Sequence, residues 1–278
     1  MTLDNANHKM YVGCTSHLHK ICIEANREVI SWDVVRDYLD ACLSNHGTHS
    51  NEGVSSVSLV AEGFLQWTPL RIASESASLD IIQKILKLEG VVGDVEDNGT
   101  SYAACISDIN GMLPLHHAAI RKNLRVMNVL QKAHPDGVKK EDYWHRTPLH
   151  CIFIDYGSSL SLSSSDDSRD RFNERSYSRE EYNKCYEEIV RSMLKGDVGI
   201  QATRAKDNAG RSPLHILCAC GNKNNLNKIF LRYMLECNSS SLSDKDEHGK
   251  TAEQYILENN MIDNVAKDEI LSLLNNYR

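Results

Sequence analysis

Residues 207–218 read DNAGRSPLHILC, and three further stretches follow the same plan: DINGMLPLHHAA at 108–119, DYWHRTPLHCIF at 142–153 and DEHGKTAEQYIL at 246–257. Each opens with an aspartate and ends in a short apolar run. Three carry glycine at the fourth position, at Gly111, Gly210 and Gly249, where a turn can use positive φ. Thr147 and Ser212 are side chains that accept hydrogen bonds from the exposed amides of a helix start. Pro148 and Pro213 then stand at the first helical position, where the missing N–H removes nothing. Leu149 and Leu214 follow as expected core residues. Two partial copies, TPLRIAS from Thr68 and SHLHKICI from Ser16, extend the series toward the N-terminus.

A second amphipathic segment follows most copies. LDIIQKILKL starts at Leu79, LRVMNVLQKA at Leu124, EEIVRSML at Glu187 and KIFLRYML at Lys228. Each spaces its apolar residues at helical intervals. A further helix, SWDVVRDYLDAC, begins at Ser31, with Trp32, Val35, Tyr38 and Leu39 on one face. One short helix pair cannot bury its apolar face alone, whereas stacked pairs share a continuous core.

The recurring turn followed by T-P-L-H resembles the ankyrin repeat, whose signature is D-x-x-G-x-T-P-L-H-x-A-A. The resemblance runs from about Ser16 to the C-terminus. It implies an all-α ankyrin-repeat solenoid of five to six helix-turn-helix repeats, starting near 16, 63, 108, 142, 207 and 246, after a disordered or capping segment 1–15. It also implies that His116, His150 and His215 hydrogen-bond neighbouring turns rather than act as bases or ligands.

The spacing departs from the family's period of about 33 residues. Only Leu113 to Thr147 comes near it. The rest predict inserted loops at 44–58, 91–107 and 156–180, the last with a Ser-rich core, SSLSLSSSDDS, from Ser158. In that loop Ser163 and Ser164 each have an aspartate three residues on, a pattern acidophilic kinases favour, and are candidate phosphorylation sites. His145 stands where the turn glycine is expected, which predicts a strained or altered turn. Ala252 and Glu253 replace Pro and Leu in the last copy, which makes Thr251 to Arg278 an expected C-terminal cap.

With 278 residues and 41% hydrophobic side chains, the chain can build a sizeable core. A net charge of −7 with no basic stripe argues against nucleic acid. Nine scattered cysteines and a polar start, MTLDNANHKM, fit reduced thiols in an intracellular protein, cytoplasmic or nuclear. No apolar window is long enough for a membrane helix. Phosphate-loop, dinucleotide, nucleophile-elbow and zinc-protease signatures are missing, so an enzyme is not expected and no cofactor is implied.

Two Cys/His clusters raise a metal reading. Cys14, His17, His19 and Cys22 form one, and His215, Cys218 and Cys220 the other. Zinc needs four converging ligands. On a helix Cys218 and Cys220 point about 200° apart, as do His17 and His19 if a helix begins there, so no metal site is assigned; the first cluster stays open, because it could close if Cys14 and His17 precede the helix.

The expected function is a protein-interaction scaffold or adaptor, monomeric by itself. A regulatory subunit controlled through the Ser-rich loop is the alternative, and a metal-binding protein a more distant one. The resemblance puts the partner surface at the turn tips: Ile109, Asn110 and Met112; Tyr143, Trp144 and Arg146; Asn208, Ala209 and Arg211; Glu247, His248 and Lys250. The first-helix end adds Ile120 and Arg121. Arg146, Arg211 and Lys250 share one position and predict a basic row suited to an acidic or phosphorylated segment.

Overall fold

A computed structural model describes residues 17–45, 66–92, 101–154, 179–220, 228–260 and 262–278. The described residues are predominantly α-helical, with no strand among them. They divide into two compact units, Met1–Gly137 and Val138–Arg278.

In the first unit, α1 (His17–Asn26) pairs with α2 (Trp32–Asn45), α3 (Pro69–Ser76) with α4 (Leu79–Val92), and α6 (Pro114–Ile120) with α7 (Leu124–Ala133). The first helices α1, α3 and α6 pack in succession, and so do the second helices α2, α4 and α7 behind them. The sequence dictates this layering. In α4, Ile81, Ile82, Ile85 and Leu88 are fully buried at helical spacing, while Gln83 and Lys87 face water. Each such side chain contributes roughly 1.5–3 kcal/mol of burial. In α2, Val35 and Leu39 are buried and Trp32 and Tyr38 half-buried, and the Ser31 hydroxyl accepts the Asp33 amide at 3.1 Å.

The stretch 91–107 departs from the expected loop. Helix α4 continues to Val92, and a short helix, α5 (Tyr102–Cys105), packs against α3, α4 and α6. Ser101 caps it by accepting the Ala104 amide at 3.2 Å, and the Ser101 amide donates to Ala133 O at 2.9 Å. Ala103 and Ala104 are buried because their small side chains let the backbone approach its neighbours. Four residues are too few to show a hydrophobic period, so composition alone reads them as loop. The rest of 44–58, beyond the end of α2 at Asn45, lies outside the described residues. So do most of 156–180 and both Ser163 and Ser164; the chain is described again from α9.

In the second unit, α8 (Pro148–Phe153), α11 (Pro213–Cys220) and α13 (Ala252–Glu258) pack in succession. Behind them lie α9 (Arg179–Met193), α10 (Gly196–Arg204), α12 (Lys228–Cys237) and α14 (Asn264–Asn275). Phe230 of α12 joins the layers, with its ring 4.6 Å from Tyr186 and 6.4 Å from Phe153. The Tyr186 hydroxyl donates to Ile152 O at 3.2 Å. Helix α10 has no helical signature in the sequence, since glycine disfavours a helix interior by about 1 kcal/mol. Its Gly199 lies directly on the Leu194 backbone, where an added Cβ would sit 2.2 Å from the carbonyl carbon. Close packing, not propensity, holds this helix.

Candidate functional site

The four aspartate turns share one geometry. The first carboxylate oxygen, Oδ1, accepts the amides two and four residues on: Asn110 and Met112 for Asp108, Trp144 and Arg146 for Asp142, Ala209 and Arg211 for Asp207, His248 and Lys250 for Asp246. All eight distances lie between 2.8 and 3.0 Å. Each aspartate amide also donates to the carbonyl four residues on, and its own carbonyl accepts the amide three residues on. The residue supplying that amide adopts a left-handed backbone: φ is 75° at Gly111, 57° at His145, 72° at Gly210 and 75° at Gly249. His145 therefore does not alter the turn. It takes the same conformation at a local cost of about 1 kcal/mol, while its Nδ1 lies 2.8 Å from the Glu141 carboxylate.

The second oxygen, Oδ2, follows a rule that the sequence reading missed. Where the residue four on is arginine, that arginine takes it: Arg146 holds Asp142, and Arg211 holds Asp207, through Nε and Nη2 at 2.7–2.9 Å. The residue nine on is then apolar or a thiol, Cys151 or Ile216. Where the residue four on is Met112 or Lys250, the partner comes from nine on: His117 Nε2 at 2.9 Å from Asp108, and the Tyr255 hydroxyl at 2.6 Å from Asp246. Burial alone would raise the Asp207 carboxyl; the Arg211 bonds and charge hold it below the usual carboxylate range. The same balance lowers Asp108 through His117 and Asp246 through Tyr255.

The motif histidines are structural ties. Nδ1 of His116, His150 and His215 accepts the amide of Leu113, Thr147 and Ser212 at 3.0–3.2 Å. The Thr147 and Ser212 hydroxyls point at the same nitrogen, at 3.0 and 2.8 Å. Thr68 does accept a helix amide, that of Arg71 at 3.0 Å, since arginine at the histidine position has no acceptor. With Nδ1 accepting, the ring proton sits on Nε2, which donates to the next turn: His150 to Arg211 O at 3.1 Å and His215 to Lys250 O at 3.2 Å. Burial lowers His150 to about 4 and lowers His215 as well, so both remain neutral at physiological pH.

In the second unit the turn tips are joined edge to edge. The Asn208 amide donates to Trp144 O and the Glu247 amide to Ala209 O, each at 3.0 Å. Tyr143 is 70% and Trp144 43% exposed, and Asn208, Glu247 and His248 are exposed too. The Arg146 guanidinium lies over the Trp144 ring at 4.5 Å. In the first unit Asn110 and Arg121 are exposed and Ile109 and Ile120 half-buried. Met112 is only 5% exposed and is no tip residue. Apolar and four residues after its aspartate, it turns into the core where arginines elsewhere reach back to carboxylate. The expected basic row also changes character. Arg146 and Arg211 are each paired to their own aspartate, and Lys250 Nζ lies 2.5 Å from Glu258.

Among the described residues, no group of three or more His, Cys, Asp or Glu is placed to hold a metal ion. His17 is exposed with its ring 5.1 Å from Tyr38, His19 and Cys22 are buried, and Cys14 lies outside the described residues. Cys218 is buried, with its thiol pushed up by desolvation, while His215 is committed to Lys250 O. No helix among the described residues is long and apolar enough to cross a membrane.

A scan of protein-family models finds none that matches the chain, and a search of curated proteins finds no match either.

Proposed function

We propose that the chain is an ankyrin-repeat module that binds another protein through its turn tips. The observation that carries this reading is the exposure of Tyr143 and Trp144 on a turn whose backbone is tied down. Large exposed aromatics on a pre-ordered turn lose little entropy on binding, and tryptophan, tyrosine and arginine dominate binding hot spots. Arg146 stacks on one face of Trp144 and fixes the ring. A cation–π contact of this exposed kind contributes about 0.5–1 kcal/mol. Fourfold recurrence of one turn geometry and the histidine ties between turns support the ankyrin assignment.

Because Arg146 and Arg211 are neutralised within their own turns, aromatic contact rather than net charge leads recognition. The partner segment is therefore read as apolar at its centre, with polar groups opposite Asn208, Glu247 and His248. The test compares affinity purification with the wild-type chain and with Trp144→Ala/Arg146→Ala. Proteins retained by the first and lost from the second are then titrated directly. The proposal expects a loss above about 2 kcal/mol in affinity with the helical spectrum unchanged. Equal capture and equal affinity by a folded double variant would overturn it.

A further inference from the structure

We propose that the tip formed by Tyr143 and Trp144 reads a proline-rich segment in the polyproline helical conformation. The inference rests on the reading of the turn tips as the partner surface, and it names the chemistry of the partner. Peptide segments dock on such surfaces as added strands, as amphipathic helices, as polyproline helices or through charge.

A strand needs an open row of backbone groups. Here the row is taken. Trp144 O accepts the Asn208 amide and Ala209 O accepts the Glu247 amide, each at 3.0 Å. The amides of Trp144 and Ala209 are held by Asp142 Oδ1 and Asp207 Oδ1, at 2.9 and 3.0 Å. A helix needs an apolar groove for side chains three and four residues apart. The neighbouring tips present Asn208, Ala209, Glu247 and His248, which build no such groove. Arg146 and Arg211 are bound to their own aspartates, so an acidic segment gains little from them. The Arg146 guanidinium over one face of the Trp144 ring disfavours a second cation on the other.

What the tip offers is donors and a flat ring. Among the described residues, no hydrogen bond engages the Tyr143 hydroxyl, the Trp144 Nε1–H or the Asn208 side-chain amide. All three residues lie together, because the Asn208 amide is bonded to Trp144 O. A polyproline helix makes no internal hydrogen bonds, so its carbonyls stand open as acceptors, and proline brings no N–H of its own. Such a ligand complements a surface rich in donors. The ring is also anchored. Asp142 Oδ2 holds the Arg146 guanidinium at 2.8–2.9 Å, and that guanidinium lies 4.5 Å over the indole. With one face covered and Trp144 still 43% exposed, the opposite face is open for a pyrrolidine ring to stack on. A polyproline helix is ordered before it binds, so docking costs it little conformational entropy.

The probe is an array of synthetic peptides with a Pro-x-x-Pro core, x being each amino acid in turn. Each stands beside a copy with alanine in place of both prolines. Binding to the full-length chain is titrated by NMR, read from the Trp144 indole N–H and the Asn208 side-chain amide. The expected result is saturable binding of proline-cored peptides, lost in their alanine copies, with both signals shifted. Trp144→Ala should weaken that binding at least about thirtyfold, the hot-spot threshold expressed as a ratio. Trp144→Phe keeps a flat face and removes the N–H, and should weaken it about threefold to tenfold. No binding by any proline-cored peptide would overturn the inference, as would binding that survives the alanine replacement or ignores Trp144→Ala. The reading of the tips as the partner surface fails on a different result, unchanged capture of proteins by the Trp144→Ala/Arg146→Ala chain.

Discussion

Replacing His150 with glutamine tests the histidine ties quantitatively. His150 is completely buried, accepts the Thr147 amide through Nδ1 and donates from Nε2 to Arg211 O. Burial lowers its folded-state pKa from 6.5 to about 4. In that window the unfolded chain binds a proton and the folded chain does not, so stability rises with pH from 4 to 6.5 and is lost as pH falls. The drop from 6.5 to about 4 corresponds to roughly 3 kcal/mol in full, since one pH unit is worth about 1.36 kcal/mol. Glutamine is the informative replacement because Gln254 already occupies this position in α13, where its Oε1 accepts the Thr251 amide at 2.8 Å. Its amide donor can serve Arg211 O without titrating. At pH 7.5 His150→Gln should cost at most about 1 kcal/mol, one weakened hydrogen bond. Between pH 6.5 and 4.5 it should lose roughly 2–3 kcal/mol less than the wild type. The assay is native-state hydrogen exchange of the slowest amides in α8 and α11 across that range. His215, also lowered by burial, leaves a residual acid loss in the variant. Parallel pH profiles for variant and wild type would refute the buried, neutral state of His150.

Two further predictions probe the turns and the core. Gly210→Ala should destabilise more than Gly249→Ala: both sit at left-handed φ, but a Cβ at Gly210 meets the Glu247 amide nitrogen at 2.9 Å whereas none meets Gly249 within 4 Å. Strain alone is about 1–2 kcal/mol, so urea midpoints should rank wild type, Gly249→Ala, Gly210→Ala. Leu149→Ala, at a fully buried site in α8, should cost about 2–5 kcal/mol in denaturant unfolding, and a loss below 1 kcal/mol would deny it a core role.

The backbone of the turns was legible because it is local. Asp207, Gly210, Ser212 and Pro213 each satisfy a requirement of their own four or five residues. The second helices were legible from apolar spacing in Leu79–Leu88 and Leu124–Ala133. What escaped the sequence depends on partners further along the chain or on small residues. A carboxylate bonded through one oxygen needs a donor for the other, and nothing in the DxxG pattern says whether it comes from four residues on or from nine. That is why Met112 was read with the tips and Arg146 and Arg211 as available charge. Arg71 of TPLR lies among Glu75, Asp108 and His117, partners 4, 37 and 46 residues away that no local pattern announces. Helices α5 and α10 carry alanines and glycines whose value is close approach, which no hydrophobic period records.

The joined turn tips of the second unit are the surface proposed for the partner. The most direct measurement is site-specific photo-crosslinking in cells, with a photoreactive residue placed in turn at Tyr143, Asn208 and Glu247, and at the exposed Arg232 of α12 as control. The expected result is one protein crosslinked from all three tips, weakly or not at all from position 232, and much reduced by Trp144→Ala/Arg146→Ala. The same adduct formed most strongly from position 232, or unaffected by the double substitution, would contradict it.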